Sequence, residues 1–254
     1  MSVIKVENRG RLRIIIIDNI RKRNALNRQG YMDLTKALRD ADADDSVSVI
    51  AVTGVGDFYS SGNDLVSAMS GEYTPERAME ILRDLIRAFF TLRKILIAVV
   101  NGPAIGIAAT TAALCDVIYA EKDAYFYTPF TSLGLCAEGC SSLTFPRILG
   151  KSKASEMLLL NHKMSAQEAL QFNLVSELFS RNELESKIWP KLEAFAKLPY
   201  NSLIATKRLM KKFEQEELEA ANREEIITLM ERAQSEESFQ AAMEFLQRKK
   251  KSNL

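Results

Sequence analysis

Histidine is almost missing from this chain. One residue, His162, stands among 254, with three cysteines (Cys115, Cys136, Cys140) and a single tryptophan. A lone histidine and cysteines that form no CxxC pair cannot supply a usual zinc site. Three clustered thiols are also too few for the disulfide framework of a small secreted domain, which points to a reducing compartment. An excess of either charge is absent: 34 basic side chains face 33 acidic ones, for a net charge of +1. A nucleic-acid binder is expected to carry a basic surplus, so no nucleic-acid partner is expected. Long apolar runs are lacking as well. The longest, 14–17 and 95–100, fall far short of the roughly 18 residues of a membrane span and read as buried strands. The first residues show neither the apolar stretch of a signal peptide nor an Arg-rich amphipathic presequence.

Several chemical signatures are missing too. No Gly-x-x-x-x-Gly-Lys-Ser/Thr phosphate loop occurs. Gly102 and Gly106 lack the third glycine of a dinucleotide fingerprint, which weighs against hydride transfer. Ser60-Ser61-Gly62-Asn63 is not a Gly-x-Ser-x-Gly elbow, and His162 has no placed partner, so a serine hydrolase is disfavoured.

What is present is ordinary globular composition, 47% hydrophobic and 26% charged, at a length that suits one large domain or a domain with an added helical piece. Up to about residue 150, strand and helix patterns alternate. Runs 11–18, 46–53, 95–100, 116–120 and 125–128 read as strands, while Tyr31, Leu34 and Leu38 share one helical face. Thr74-Pro75-Glu76 starts a helix to about residue 92, with Met79, Leu82, Ile86 and Phe89 facing the core, and a small-residue helix spans 106–114. The alternation predicts an α/β core with a largely parallel sheet. Beyond residue 150 the pattern predicts helices alone. Ser165-Ala166-Gln167-Glu168 reads as a capping box, Ser235 as a cap for the last helix, and Pro190 and Pro199 as breaks.

Two turns carry candidate chemistry. One is Phe58-Tyr59-Ser60-Ser61-Gly62-Asn63-Asp64-Leu65; the other is Val100-Asn101-Gly102-Pro103-Ala104-Ile105-Gly106-Ile107. Each places backbone N–H groups at a strand or helix end, where unpaired donors can converge on an anion. Together they form a candidate oxyanion hole for an enolate or a tetrahedral oxyanion.

With these two segments in the right order and separation, the sequence resembles the crotonase (enoyl-CoA hydratase/isomerase) superfamily over most of its length. Asn24-Ala25-Leu26 looks like that family's early CoA-contacting loop, and Cys115-Asp116 continues its second oxyanion segment. The stretch from Gly150-Lys151 to Ser176 matches the passage toward trimerising helices. The resemblance implies a ββα spiral core over 1–195 and a helical oligomerisation region over 196–254, forming one catalytic unit. It implies a homotrimer or a dimer of trimers, and neither a metal nor a redox cofactor. Carried over by position, Ser61 and Ile107 would supply the two oxyanion N–H groups. Ser60, Ser61, Gly62, Asn63, Asp64, Leu65, Arg23, Ala25, Gly106 and Phe130 would line the CoA and acyl path.

Family hydratases use two glutamates, and the matching positions here hold Thr110 and Phe130, neither able to exchange a proton at neutral pH. One acid remains nearby, Glu138, in a Glu-Gly-Cys-Ser-Ser stretch similar to that of the Δ3,Δ2-enoyl-CoA isomerases, above all the peroxisomal type. Moving a double bond into conjugation needs no water. One carboxylate can take a C2 proton and return it at C4, and desolvation beside Phe130 and Leu135 would raise its pKa into a useful range. The implied function is therefore conversion of 3-enoyl-CoA to 2-trans-enoyl-CoA in the β-oxidation of unsaturated fatty acids. The alternative is a non-catalytic acyl-CoA-binding module of the chromodomain-Y-like type, which carries Asp where this chain has Glu138. Dienoyl isomerisation is disfavoured because Phe130 removes an acid.

The remaining residues read more plainly. Cys136 and Cys140 are expected to be packing residues, His162 to face solvent, and Lys207, Arg208, Lys211 and Lys212 to form a solvated helix face. Phe89 and Phe90 read as core or acyl-pocket wall. Lys22 and Arg23 are the better candidates for CoA phosphates. The ending Ser252-Asn253-Leu254 resembles the Ser-Lys-Leu address read by the peroxisomal import receptor, which predicts the peroxisomal matrix, with mitochondria as the alternative.

Overall fold

The computed structural model describes residues 2–252. Strands β1 (Ile4–Arg9) and β2 (Leu12–Ile17) open the chain as an antiparallel hairpin. Helix α1 (Arg28–Ala43) follows, its first turn capped by Asn27, whose side chain accepts the Gly30 N–H at 2.9 Å. Next come β3 (Val49–Gly54), the short α2 (Leu65–Ala68), and α3 (Pro75–Phe90), which Thr74 caps. Then β4 (Ile95–Val100), β5 (Ala104–Ile105), α4 (Ile107–Ala112), β6 (Val117–Glu121) and β7 (Tyr125–Tyr127) complete the alternating part. The rest comprises α5 (Ser141–Leu149), α6 (Lys151–Leu158), β8 (Met164–Ser165), α7 (Ala166–Gln171), β9 (Glu177–Phe179), α8 (Trp189–Phe195), α9 (Tyr200–Lys211), α10 (Gln215–Ala233) and α11 (Glu236–Ser252).

The main sheet has the order β1-β2-β3-β4-β6-β9 and is parallel from β2 onward. A smaller sheet, β5-β7-β8, stands beside it. Side chains alternate along the central strands with the period of two that a pleat imposes. Ile15, Ile50, Val52, Leu96 and Ala98 join the core under α1, α3 and α4. Leu12, Ile14, Val49, Ala51, Ile97 and Val99 face the other way, onto Ile188, Trp189 and Leu192 of the α8 region. The face of α1 expected from Tyr31, Leu34 and Leu38 is buried.

The structure has the expected α/β class, but the stretch after residue 150 is not helical alone. Two short strands interrupt it, and β9 extends the main sheet by pairing with β6. At two and three residues they are too short for a periodic signal. The capping box at Ser165 and Glu168 forms, and the Ser235 side chain accepts the Ser238 N–H at the head of α11. Pro190 sits in the first turn of α8, where a π-helical turn at Leu184–Ile188 gives way to α-helix. Pro199 directly precedes α9. Among the described residues no helix is long and apolar enough to cross a membrane. The last two residues of the Ser252-Asn253-Leu254 ending lie outside the described residues.

Candidate active site

The two turns singled out above meet, and a third loop, 19–26, binds them. Asn24 lies at the centre of this junction, fully buried in a left-handed conformation. Its amide donates to the carbonyls of Val55 and Phe58 at 2.8 and 2.7 Å, and its oxygen accepts the Asn19 N–H at 2.9 Å. The Ser60 hydroxyl donates to the Asn24 carbonyl at 2.7 Å, and the Ser60 backbone bridges to Pro103 and Ile105. Gly62, at a φ of +80°, presses against the Ile105 carbonyl so closely that a Cβ there would collide with it. That Cβ position is 3.7 Å from the Ile107 nitrogen, so the backbones of the two segments run side by side.

This packing decides which amides are spent. Ser61 was expected to offer its N–H to an oxyanion, but that N–H donates to the Arg23 carbonyl at 2.9 Å. The Ser61 hydroxyl is also engaged, with the Lys22 carbonyl at 3.1 Å. Leu26 takes the Gly62 carbonyl and the Asp64 N–H in a parallel bridge centred on Asn63. Alternate residues of a paired strand turn their polar groups to opposite sides, so the Asn63 N–H points away from Leu26. Among the described residues, neither the Asn63 N–H nor the Ile107 N–H, at the first position of α4, is given to a protein acceptor. The unspent N–H nearest the expected Ser61 is therefore that of Asn63, two residues further on.

The other expected lining residues surround this pair. Asp64 holds Lys22 at 2.6 Å and caps α2, and its carboxyl is lowered by those contacts despite the cost of burial. Leu65 begins α2. The exposed Arg23 guanidinium stacks over Phe58 at 5.3 Å, and the Ala25 carbonyl accepts the Asn19 side chain. Gly106 N–H is tied to the Tyr127 carbonyl at 2.8 Å, with Phe130 packed beside it. A narrow apolar slot opens next to Ile107, walled by Leu26, Leu34, Leu85, Phe89 and Ala108.

Glu138 sits in the loop before α5, 9% exposed. The next two residues, Gly139 and Cys140, are both left-handed, and Gly139 lies directly on Thr110 of α4. The Glu138 turn is thus seated on the helix whose first N–H belongs to Ile107. Burial pushes the Glu138 carboxyl up to about 7, opposed by the Arg28 guanidinium and reinforced by Glu225. Among the described residues its carboxylate makes no side-chain hydrogen bond. Tyr31 of α1 lies within electrostatic reach, and Arg28 stacks on its ring at 5.2 Å. Thr110, at a hydratase glutamate position, turns its hydroxyl to the Ile107 carbonyl.

Some expectations fail outside the site. His162 is half-buried and lies 3.0 Å from Glu168, which belongs to the capping box. Lys207 is buried, with its amine on Asp116 and on the Lys94 carbonyl, both at 2.6 Å, so that face of α9 is docked onto the sheet. Cys140 is buried, as expected of a packing residue.

The Enoyl-CoA hydratase/isomerase family model matches residues 7–253. The rat protein named enoyl-CoA delta isomerase 2 is 43% identical over 98% of this chain, which spans 64% of that protein. The mouse enoyl-CoA delta isomerase 3, peroxisomal, is 42% identical over 92% of the chain and 74% of its own length. The mouse chromodomain Y-like protein 2 is 31% identical over 98% of the chain and 50% of its own length. Among solved structures, an enoyl-CoA hydratase/isomerase from Pseudoalteromonas atlantica T6c superposes with a TM-score of 0.91 at 30% identity, covering 97% of this chain and 98% of that one.

Proposed function

This chain belongs to the enoyl-CoA hydratase/isomerase family, and we propose that within it the protein is a Δ3,Δ2-enoyl-CoA isomerase acting on fatty enoyl-CoA thioesters. The observation that carries this reading is Glu138: a buried carboxyl poised near neutrality, on a turn seated against α4, with Thr110 and Phe130 at the positions where hydratases carry acids.

In the proposed reaction the thioester oxygen accepts hydrogen bonds from the Asn63 and Ile107 N–H groups. The Glu138 carboxylate removes a proton from C2, and the C2–H electrons flow into the carbonyl to give a dienolate. The same carboxyl then delivers the proton to C4, and the double bond settles between C2 and C3. Both transfers use one group, so no water is activated and no electrons leave the substrate. The reaction therefore calls for neither metal nor redox cofactor. The oxyanion is stabilised by fixed dipoles in a site poor in water, where each donor counts for more than it would in solvent. The slot beside Ile107 would receive the start of the acyl chain, and Arg23, with Lys22 held by Asp64 beside it, would meet CoA phosphates.

The test is an assay with a 3-enoyl-CoA, following the absorbance of the conjugated 2-enoyl thioester. Turnover is the expected result. Folded protein that binds CoA thioesters without turnover would instead support an acyl-CoA-binding module of the chromodomain-Y-like kind. The likeness to a relative named as peroxisomal supports a peroxisomal location, tested by imaging a tagged chain with and without Ser252-Asn253-Leu254. A homotrimer would cover Leu160, Met210 and Phe213, each more than 70% exposed in the single chain. Light scattering should then give three chains per particle.

A further inference from the structure

The loop that carries Glu138 is held from outside by the C-terminal helices. Glu225 of α10, 6% exposed, accepts the Cys140 N–H at 2.7 Å, the Ser142 N–H at 2.9 Å and the Ser142 hydroxyl at 2.6 Å. These amides belong to the head of α5, where the first N–H groups have no partner within the helix. A carboxylate from a distant helix thus does what a local capping residue would normally do, and its charge suits that end of the α5 dipole. The Cys140 thiol donates to the Leu218 carbonyl of α10 at 3.5 Å. At the far end of the loop, Arg232 of α10 donates to the Gly134 carbonyl at 3.1 Å, and Gly134 lies against the backbone of Ser238 in α11. Both ends of the 134–140 segment are therefore tied to the same helical hairpin. Burying Glu225 raises its carboxyl above the ordinary range, and its three hydrogen bonds oppose that rise. Removing protons from a substrate gives no reason for such a group.

We propose that Glu225 is a positioning residue for Glu138: it fixes the left-handed Gly139–Cys140 turn, so that α10 of the same chain completes the active site. The proposal rests on the isomerase reading for its catalytic consequence. The groups around Glu138 are Arg28 and Tyr31 from α1, Glu225 from α10, and the Cys136 thiol in its own loop. Around Glu225 stand the Cys136 and Cys140 thiols and Glu138, with Arg232 and Glu219 of α10 close to the two thiols. Glu225 disfavours the charged form of Glu138, and Arg28 favours it. Removing one charge or the other must therefore move the titration of Glu138 in opposite directions.

The experiment compares wild type with Glu225→Gln, Glu225→Asp and Arg28→Gln in the full chain. The readouts are the pH profile of kcat/KM on a 3-enoyl-CoA and a ¹³C-carboxyl NMR titration of Glu138, which needs no turnover. Glu225→Gln keeps the shape and loses the charge. It is expected to lower the Glu138 midpoint and to reduce kcat roughly tenfold, with KM within about twofold. Glu225→Asp should recover the midpoint more than the rate, because its shorter side chain reaches α5 less well. Arg28→Gln should raise the midpoint. A folded Glu225→Gln protein with the wild-type midpoint and kcat overturns the proposal, as does equal loss of kcat and stability with no change in midpoint. If wild type fails to turn over 3-enoyl-CoA, the isomerase reading falls and the NMR titration alone decides: a shifted midpoint supports positioning, an unshifted one overturns it.

Discussion

Gly139 lies against Thr110 with no room for a side chain between them: a Cβ on the glycine would overlap both the Thr110 hydroxyl and its Cβ. This contact seats the Glu138 turn on α4 and, on the isomerase reading, leaves no space for an acid at position 110. Two outcomes are expected. Gly139→Ala should lose on the order of 2–4 kcal/mol of stability, because it combines a clash with a φ of +69°. Thr110→Glu should yield no hydration of a 2-enoyl-CoA, since a longer side chain at 110 must displace the very turn that holds Glu138. Denaturant unfolding and a hydratase assay on the folded variant check both. A well-folded Thr110→Glu protein with hydratase turnover would show that the space exists.

The Glu138 carboxyl, pushed up to about 7 by burial, sets a pH dependence of two kinds. As a base it must be ionised, so kcat/KM should climb through pH 7 and level off above it. For stability the direction is reversed. The folded chain holds this proton up to pH 7, whereas the unfolded chain releases it near 4.5. The folded state therefore loses stability as pH rises across that window, by on the order of 3 kcal/mol in full. Glu138→Gln should accordingly lower turnover by roughly 10²–10⁴ and raise the melting temperature at pH 8 more than at pH 5. Parallel melts at the two pH values check the second part, and equal shifts would mean that the group is not titrating there.

The oxyanion donors can be tested atom by atom. Replacing the amide of residue 63 or residue 107 by an ester removes one N–H and leaves the side chain in place. Each ester should cost roughly 10²–10³ in kcat on a 3-enoyl-CoA, the usual cost of losing one oxyanion-hole donor. An ester at residue 61 removes the bond to the Arg23 carbonyl and weakens the Ser60 carbonyl that accepts the Ile105 N–H, and should leave kcat within about tenfold. The opposite ranking would return the first donor to Ser61.

That ranking also marks how far the sequence could be read. The two turns, their order and the absence of a second acid are local facts, visible in Ser60-Ser61-Gly62-Asn63 and in Thr110 and Phe130. Which amide stays unspent depends on the pairing of 60–64 with the loop 19–26, a contact across about forty residues that no local pattern encodes. Lys207 was misread for the same reason. Its spacing on α9 suits a solvated face, and only the docking of that helix beside Asp116 buries it. Glu225 was invisible because its partners, Cys140 and Ser142, lie more than eighty residues away. The helices were legible wherever a cap or a long apolar face announced them, as at Thr74-Pro75 and Ser165. The strands β8 and β9 were not, because two or three residues cannot display a period.

The slot beside Ile107 bears on acyl-chain preference. Its walls include Leu34 of α1, Leu85 and Phe89 of α3, Ala108 of α4 and Tyr59, and α3 supplies two of them. Phe89 is buried there, and its ring is the larger of the two α3 side chains in that wall. Phe89→Leu shortens the wall while keeping an apolar surface. Each extra substrate methylene that gains burial contributes about 0.8 kcal/mol, or roughly fourfold in kcat/KM. The variant should therefore shift the ratio of kcat/KM for a longer over a shorter 3-enoyl-CoA by that factor per methylene, until the added space is filled. It should also lose about 1–2 kcal/mol of stability from the smaller core side chain. A chain-length series on wild type and Phe89→Leu checks this. Parallel rate changes at every length would mean that the acyl chain leaves the site by another path.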